Sequence, residues 1–162
     1  MKIGMNLERL YKKYGQMFMD MSYRITQNRA DAEEILQESF LELWKRKPTG
    51  AIVSWLKKVV VNKSLNLVRD RKEVKVEKNN PSTPEGIIED EEKSMVVKRA
   101  LGQLKPIENT VVILKRYEGM SHSEIANILG ISEKNSRIIL YRAMRNLREI
   151  LEPYVKMGEI NG

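Results

Sequence analysis

Apolar residues recur along most of this chain at intervals of three and four, the period of helices that turn one face to a core. Leu7, Leu10, Tyr11, Tyr14, Phe18, Met21 and Ile25 predict a first helix from Asn6 to about Thr26. Gln27, Asn28 and Arg29 break it. Ile35, Leu36, Phe40, Leu43 and Trp44 supply the buried stripe of a second helix from Ala30 to Lys47, with Asp31 as N-cap and Glu33 and Glu34 near its positive end. Beyond Pro48-Thr49-Gly50, the positions Ile52, Trp55, Leu56, Val59, Val60, Leu65 and Val68 predict a third helix from Ala51 to Lys72. Its valine run is a weak helix former, but the period over the whole segment outweighs it.

The pattern is lost over residues 73–94. Pro81, Pro84, Gly86 and their polar neighbours read as a flexible connector that lets the two halves settle apart on a partner. Glu89 to Glu92 is a short acidic run, either part of a plain solubilising linker or a segment that repels DNA or shields a basic surface before assembly. Helical spacing resumes from Met95 to Gln103. Pro106 suits the first position of a helix that carries Val111, Val112, Ile113 and Leu114 as far as Tyr117.

The densest signal lies between Ser121 and Glu149. Ser121 and Glu124 make the S-x-x-E capping box, and Ile125, Ala126, Ile128 and Leu129 form an apolar stripe. Gly130 stands where a left-handed residue ends a helix, Ile131 can plug the gap, and Ser132 can cap the helix that follows. That helix carries Ile138, Ile139, Tyr141, Met144 and Leu147 among Lys134, Arg137, Arg142, Arg145 and Arg148. A short helix, a glycine turn and a basic second helix are the parts of a helix-turn-helix, whose second helix enters the major groove. The same spacing also serves an ordinary helical hairpin with a solvated basic face. After Leu151 the tail is expected to fray.

Charge narrows the choice. The 162 residues carry a net charge of +7, which favours a polyanionic partner, nucleic acid or an anionic membrane surface. There are no cysteines, so disulfides and thiolate metal sites are excluded. No apolar run approaches the ~18 residues of a membrane span, the N-terminus lacks the apolar stretch of a signal peptide, and a cytosolic setting is expected. His122 is the only histidine and reads as a helix-start surface residue; no catalytic constellation, metal-ligand cluster or cofactor loop is present in the sequence. Asp31, Glu34, Gln37, Glu38 and Glu42 form an acidic face on the second helix, either solvated or a docking face for a basic partner. The third helix interleaves Lys57, Lys58, Lys63, Arg69, Arg71 and Lys72 with Asn62 and Asn66, a set able to hold phosphates and bond bases, or simply to face water.

DAEEILQESFLELW followed by SWLKKVVVNKSLNLVRDRK resembles region 2 of the extracytoplasmic-function (group IV) bacterial RNA polymerase sigma factors, with the match running from Asp31 to Trp44 and from Trp55 through Asn62 to Arg69. From Leu101, Leu104 and Pro106 through Gly119, Glu124, Ile125 and Ala126 to Leu140, Arg142, Ala143, Leu147 and Arg148 the chain resembles region 4 of the same family. The resemblance implies an all-α protein of two small helical domains, a region 2 bundle over 1–72 and a region 4 helix-turn-helix over 95–152, joined by the linker 73–94 and followed by a tail 153–162. It implies binding of core RNA polymerase through the β′ clamp helices and β flap, and of promoter DNA both single-stranded and duplex.

Carried over to this sequence, Asp31, Glu34, Gln37 and Glu38 fall on the clamp-facing helix. Lys57, Lys58, Asn62, Lys63, Asn66 and Arg69 fall on the helix facing the −10 element. Lys134, Asn135, Ser136 and Arg137 are expected near base edges of the −35 element, with Tyr141, Arg142, Arg145 and Arg148 facing phosphates or packing. Two departures stand out: Lys134-Asn135-Ser136 replaces a common Gly-Thr-Val, and Asn66 replaces a common aspartate. An anti-sigma factor is common in this family, and such a partner can hold the protein at the membrane; no residue here demonstrates one. The alternative is a sigma-like DNA-binding regulator that does not initiate alone. A dimeric operator-binding regulator leaves the acidic face without a task, and a dedicated protein-interaction module leaves the basic helices without one.

Overall fold

The computed structural model describes residues 3–74 and 89–156. Seven helices and no strand are found among them: α1 (Ile3–Thr26), α2 (Arg29–Arg46), α3 (Ile52–Val74), α4 (Glu89–Gln103), α5 (Pro106–Val112, running into a π-helical turn Ile113–Tyr117), α6 (His122–Leu129) and α7 (Glu133–Lys156). Most of the expected linker lies outside the described residues. Helix α4 begins at Glu89, earlier than expected.

Helices α1, α2 and α3 pack on one another as a bundle. Phe18, Met21, Ile25, Ile35, Leu36, Phe40, Leu43, Leu56, Val60 and Val61 are all buried within it. Val60 and Val61 are fully buried and Val59 partly so, and that packing recovers more than the branched side chains lose in helix propensity. Close approach of α1 and α3 is sealed by the buried hydroxyls of Ser22 and Ser64, 2.8 Å apart. Asn28, not Asp31, caps α2: its backbone is extended and its Oδ1 accepts the Asp31 N–H at 3.0 Å. Gln27 ends α1 just before it in a left-handed conformation, with φ of 55°.

In the second half, α4 and α5 pack against α7, and Ala100, Leu101, Leu104, Val112, Ala143 and Leu147 form its own core. The π-helical turn after α5 adds a residue to the turn, so that the Glu118 N–H reaches the Ile113 carbonyl at 3.0 Å. Helix α7 does not fray at Leu151 but continues to Lys156 across Pro153. The proline denies a donor to the Glu149 carbonyl, yet both residues are exposed and water can serve that oxygen.

The two halves are packed together. One apolar cluster runs from Phe18, Leu43 and Leu56 of the first bundle into Val111, Ile113, Leu114, Met120, Ile125 and Ile128 of the second half. Helix α3 is the shared element, resting on both α5 and α6. Polar side chains tie the seam by serving carbonyls near helix C-termini, which otherwise lack donors. Asn62 Nδ2 donates to Ile128 O at 2.8 Å, Lys72 Nζ to Leu104 O at 2.6 Å, and Asn109 Nδ2 to Ile25 O at 3.4 Å.

Candidate polymerase and nucleic-acid interfaces

The local order of the helix-turn-helix follows from its caps. Ser121 Oγ accepts the Glu124 N–H at 3.1 Å, and Glu124 Oε1 accepts the Ser121 N–H at 3.3 Å, closing the capping box. Gly130 ends α6 at φ 69°, a conformation in which any Cβ is strained. Ser132 Oγ accepts the Asn135 N–H at 3.0 Å and starts α7. Ala143 and Leu147 hold one side of α7 in the core.

The opposite side is cationic. Lys134, Arg137, Tyr141, Arg145 and Arg148 follow one another at spacings of three, four, four and three residues and therefore share a face. All five are exposed, Tyr141 at 70%. At about 1.5 Å per residue the stripe is about 21 Å long. Arg142 and Asn135 lie exposed on its flank. The only acid bonded to this stripe among the described residues is Glu133, 3.4 Å from Arg137 and exposed, a pairing too weak to withhold the guanidinium from a phosphate or base.

Ser136 does not belong to that surface. It is buried, and its Oγ lies 2.8 Å from His122 Nδ1. The expectation that Ser136 reads a base edge is thereby corrected: its position turns it into the hairpin, where it fastens α7 to the start of α6. His122 is correspondingly no free surface residue. Partial burial and then the charges of Lys115 and Arg137 lower its pKa from the ordinary value, against the raising effect of Glu133, so the ring favours its neutral form.

The six residues expected on the −10-facing helix divide. Lys58, Asn62, Asn66 and Arg69 recur at spacings of four, four and three and share a face of α3. Lys63 points elsewhere, lying between Glu38 at 3.6 Å and Glu42 at 3.7 Å on α2. Lys57 is partly exposed on another side. Asn62 is committed twice, to the Lys58 carbonyl and to the Ile128 carbonyl of α6, each at 2.8 Å.

On α2 the acidic face is real but differently composed. Glu34, Gln37 and Glu38 are exposed. Asp31 is not part of it: the carboxylate is buried and takes both arms of the Arg71 guanidinium, with Nη2 at 2.7 Å from Oδ1. Replacing Asp31 by alanine is expected to cost about 1–3 kcal/mol in urea denaturation, below the loss for a fully buried pair because Arg71 is half exposed and can rehydrate. Affinity for core polymerase should stay within about twofold at temperatures where the variant is folded. Trp44, expected in the buried stripe, is 51% exposed, and Leu41 is 50% exposed. Both fall in register with Glu34, Gln37 and Glu38 rather than with Ile35 and Leu36. An exposed tryptophan and leucine among carboxylates is the make-up of a protein-docking face, apolar at its centre and charged around it. The signal was present in the spacing of Leu41, which falls off the buried stripe.

Residues 10–74 match the sigma-70 region 2 family, and residues 94–147 match sigma-70 region 4, in this order and together over most of the chain. The chain belongs to the extracytoplasmic-function sigma factors of the sigma-70 family. Such a factor recognises promoter DNA while bound to core RNA polymerase. It is similar to the sigma factor CarQ of Myxococcus xanthus, 27% identical over 153 residues that cover 89% of this chain and 88% of the relative. It also resembles the ECF sigma factor SigE of Mycolicibacterium smegmatis, 27% identical over 89% of this chain, though the match spans only 61% of that longer protein. Among solved structures, the fold is shared with the sigma factor RpoE in complex with the anti-sigma factor NepR from Bartonella quintana. That TM-score is 0.67 at 18% identity, covering 91% of this chain and 97% of the other. CnrH in complex with the cytosolic domain of CnrY gives 0.67 at 20% identity, with 91% and 88% covered. No helix among the described residues of this sigma factor is long and apolar enough to cross a membrane.

Proposed function

We propose that this sigma factor docks on core polymerase through the exposed face of α2, captures the −10 element on α3 and anchors the −35 element on α7. The observation that carries the reading is the exposed stripe of Lys134, Arg137, Tyr141, Arg145 and Arg148 on α7, set opposite a buried face and started by the Ser132 cap. Glu34, Gln37 and Glu38, joined by Leu41 and Trp44, present the polymerase-facing surface; Asp31 supports it from beneath through Arg71. Lys58, Asn66 and Arg69 face the −10 strand, with Asn62 available once its bond to α6 is released. Lys57 and Lys63 flank them. The division is region 2 over 1–72, linker over 73–94 and region 4 over 95–152, with the tail beyond.

Strand opening then needs no covalent step at this protein. Unpaired bases stacked and hydrogen-bonded by protein shift the duplex equilibrium toward the melted state, and the polymerase performs the chemistry. The setting consistent with these partners is the cytoplasm. The solved neighbours bound to anti-sigma factors support control by a partner of that class, which can hold the chain at a membrane without the chain entering it.

Purified protein added to core polymerase is expected to give promoter-dependent transcription from a genomic promoter library. Duplex binding with no transcription from any template would assign the chain to the non-initiating regulators instead. Within α7, Arg137→Ala should relax base preference at one −35 position by about 1–3 kcal/mol, read from competition among single-base variants of the site. An unchanged preference would remove Arg137 from base readout.

A further inference from the structure

We propose that His122, held in place by Ser136, is a proton-linked phosphate contact of the helix-turn-helix, outside the interface residues assigned above. The inference rests on the duplex-binding role given to α7. His122 opens α6, and its ring Nδ1 lies 2.8 Å from Ser136 Oγ in the first turn of α7. Ser136 is fully buried and immediately precedes Arg137, the exposed side chain expected at a base edge. The ring is therefore fixed beside the N-terminal end of the cationic stripe, and it is only partly buried. With Nδ1 engaged by the hydroxyl, Nε2 is the nitrogen left for a further partner.

Charge decides what that partner is. Lys115 in the π-helical turn and Arg137 on α7 both lie close enough to act on the ring, against Glu133 on α7. Glu124, the acid of its own helix, is turned back to the N–H and hydroxyl of Ser121. Glu133 is itself 3.4 Å from the Arg137 guanidinium, and among the described residues no carboxylate is bonded to Lys115. The surroundings of the ring are thus cationic and favour an anion. In a helix-turn-helix the first helix crosses the DNA backbone while the second enters the groove. A duplex that meets Arg137 consequently brings phosphate oxygens to the end of α6 where His122 stands.

Such a contact changes the protonation of the ring. Without DNA, burial first and then Lys115 and Arg137 hold its pKa below the ordinary value, so the neutral form prevails. A phosphate beside it offsets those cations and favours the imidazolium, so the pKa rises on binding and a proton is taken up. A group that binds its proton more tightly in the complex strengthens that complex as pH falls, so duplex affinity rises on acidification. The tether survives the change, because a serine hydroxyl donates to a bare Nδ1 and accepts from a protonated one. Ser136 fixes where the ring stands, and the proton decides whether it attracts the backbone.

His122 is the only histidine, so its ring protons can be followed by NMR in the unaltered full chain. The midpoint of that titration is expected to lie higher in the complex with a short duplex of mixed sequence than in the free chain. Anisotropy titrations at constant ionic strength should show duplex affinity about fivefold higher at roughly pH 5.5 than at roughly pH 7.5, the scale of one partly exposed ion pair. The gain should be equal for unrelated sequences, because phosphates carry no sequence information. The slope of log affinity against log salt should be steeper at the lower pH by about 0.9, the share of one phosphate. His122→Asn, whose amide still reaches toward Ser136 but does not titrate, should match the wild type within about twofold at the higher pH and lose the gain. Ser136→Ala, which frees the ring, should keep less than about half of it. A midpoint that does not rise in the complex, or a full gain in His122→Asn, would overturn the phosphate contact even where duplex binding is tight. A full gain in Ser136→Ala would overturn the tether. A wild-type chain that binds no duplex at either pH would overturn the helix-turn-helix reading itself, and this contact with it.

Discussion

Replacing Arg142, Arg145 and Arg148 together by alanine is expected to weaken duplex DNA binding about a hundredfold at physiological salt and leave the fold intact. All three side chains are exposed on α7, on or beside the stripe that carries Lys134, Arg137 and Tyr141. Each phosphate neutralised by an arginine releases counterions and contributes about 0.9 to the slope of log affinity against log salt. Three contacts contribute about 2.7, which at 0.15 M salt amounts to about two orders of magnitude. The loss should be the same for every duplex sequence, because phosphates carry no sequence information. Anisotropy titrations of a labelled duplex between roughly 50 and 300 mM salt would show the slope directly. A slope unchanged in the triple variant would mean that α7 does not lie along the DNA backbone, and the helix-turn-helix reading would need another docking face.

The largest effect on stability is expected from Phe18→Ala, about 3–5 kcal/mol. Phe18 is fully buried, its ring 6.5 Å from that of Phe40 in an edge-on arrangement and 6.4 Å from Tyr14. Phe40 in turn meets Tyr11 edge-on at 5.2 Å, so the side chain is the centre of an aromatic chain joining α1 to α2. Truncation forfeits the burial of the ring and leaves a cavity that these stiff neighbours fill poorly. Against a total stability of roughly 5–15 kcal/mol, this is a large fraction.

The continuous core predicts how the loss should appear. Trp44 and Trp55 lie in the first bundle, so tryptophan fluorescence reports that half, while far-ultraviolet circular dichroism reports helices of both. In urea the two signals should coincide for the wild-type chain, and move together in Phe18→Ala. Separate transitions would show that the seam contributes too little to couple the halves.

Local features were legible because they depend on neighbours in the chain. The Ser121–Glu124 box, Gly130 in its left-handed conformation and the Ser132 cap each involve groups within four residues, and each is found as the spacing predicts. The helical period likewise located α1, α2 and α3 to within a few residues, because burial of one face selects that period wherever the partner lies. Side-chain roles that depend on a distant partner were not legible. Asp31 has the composition of an acidic surface, but Arg71, forty residues away, draws it inward. Trp44 reads as core by hydrophobicity, yet no element among the described residues covers that side of α2, and half of it meets water. Ser136 has the position of a base reader until His122 fixes it from the other helix of the hairpin.

By itself, the sequence determined an all-α chain, the two sigma regions, the helix-turn-helix and the charge that takes it to DNA. Periodicity, caps and net charge are properties of short segments or of simple sums. Tertiary structure alone decided which carboxylates and amides remain available, that α3 is shared between the halves, and that Asn62 serves α6. Those outcomes turn on which helix faces meet across long sequence separations, and the free energy of that meeting belongs to the packed pair rather than to either segment.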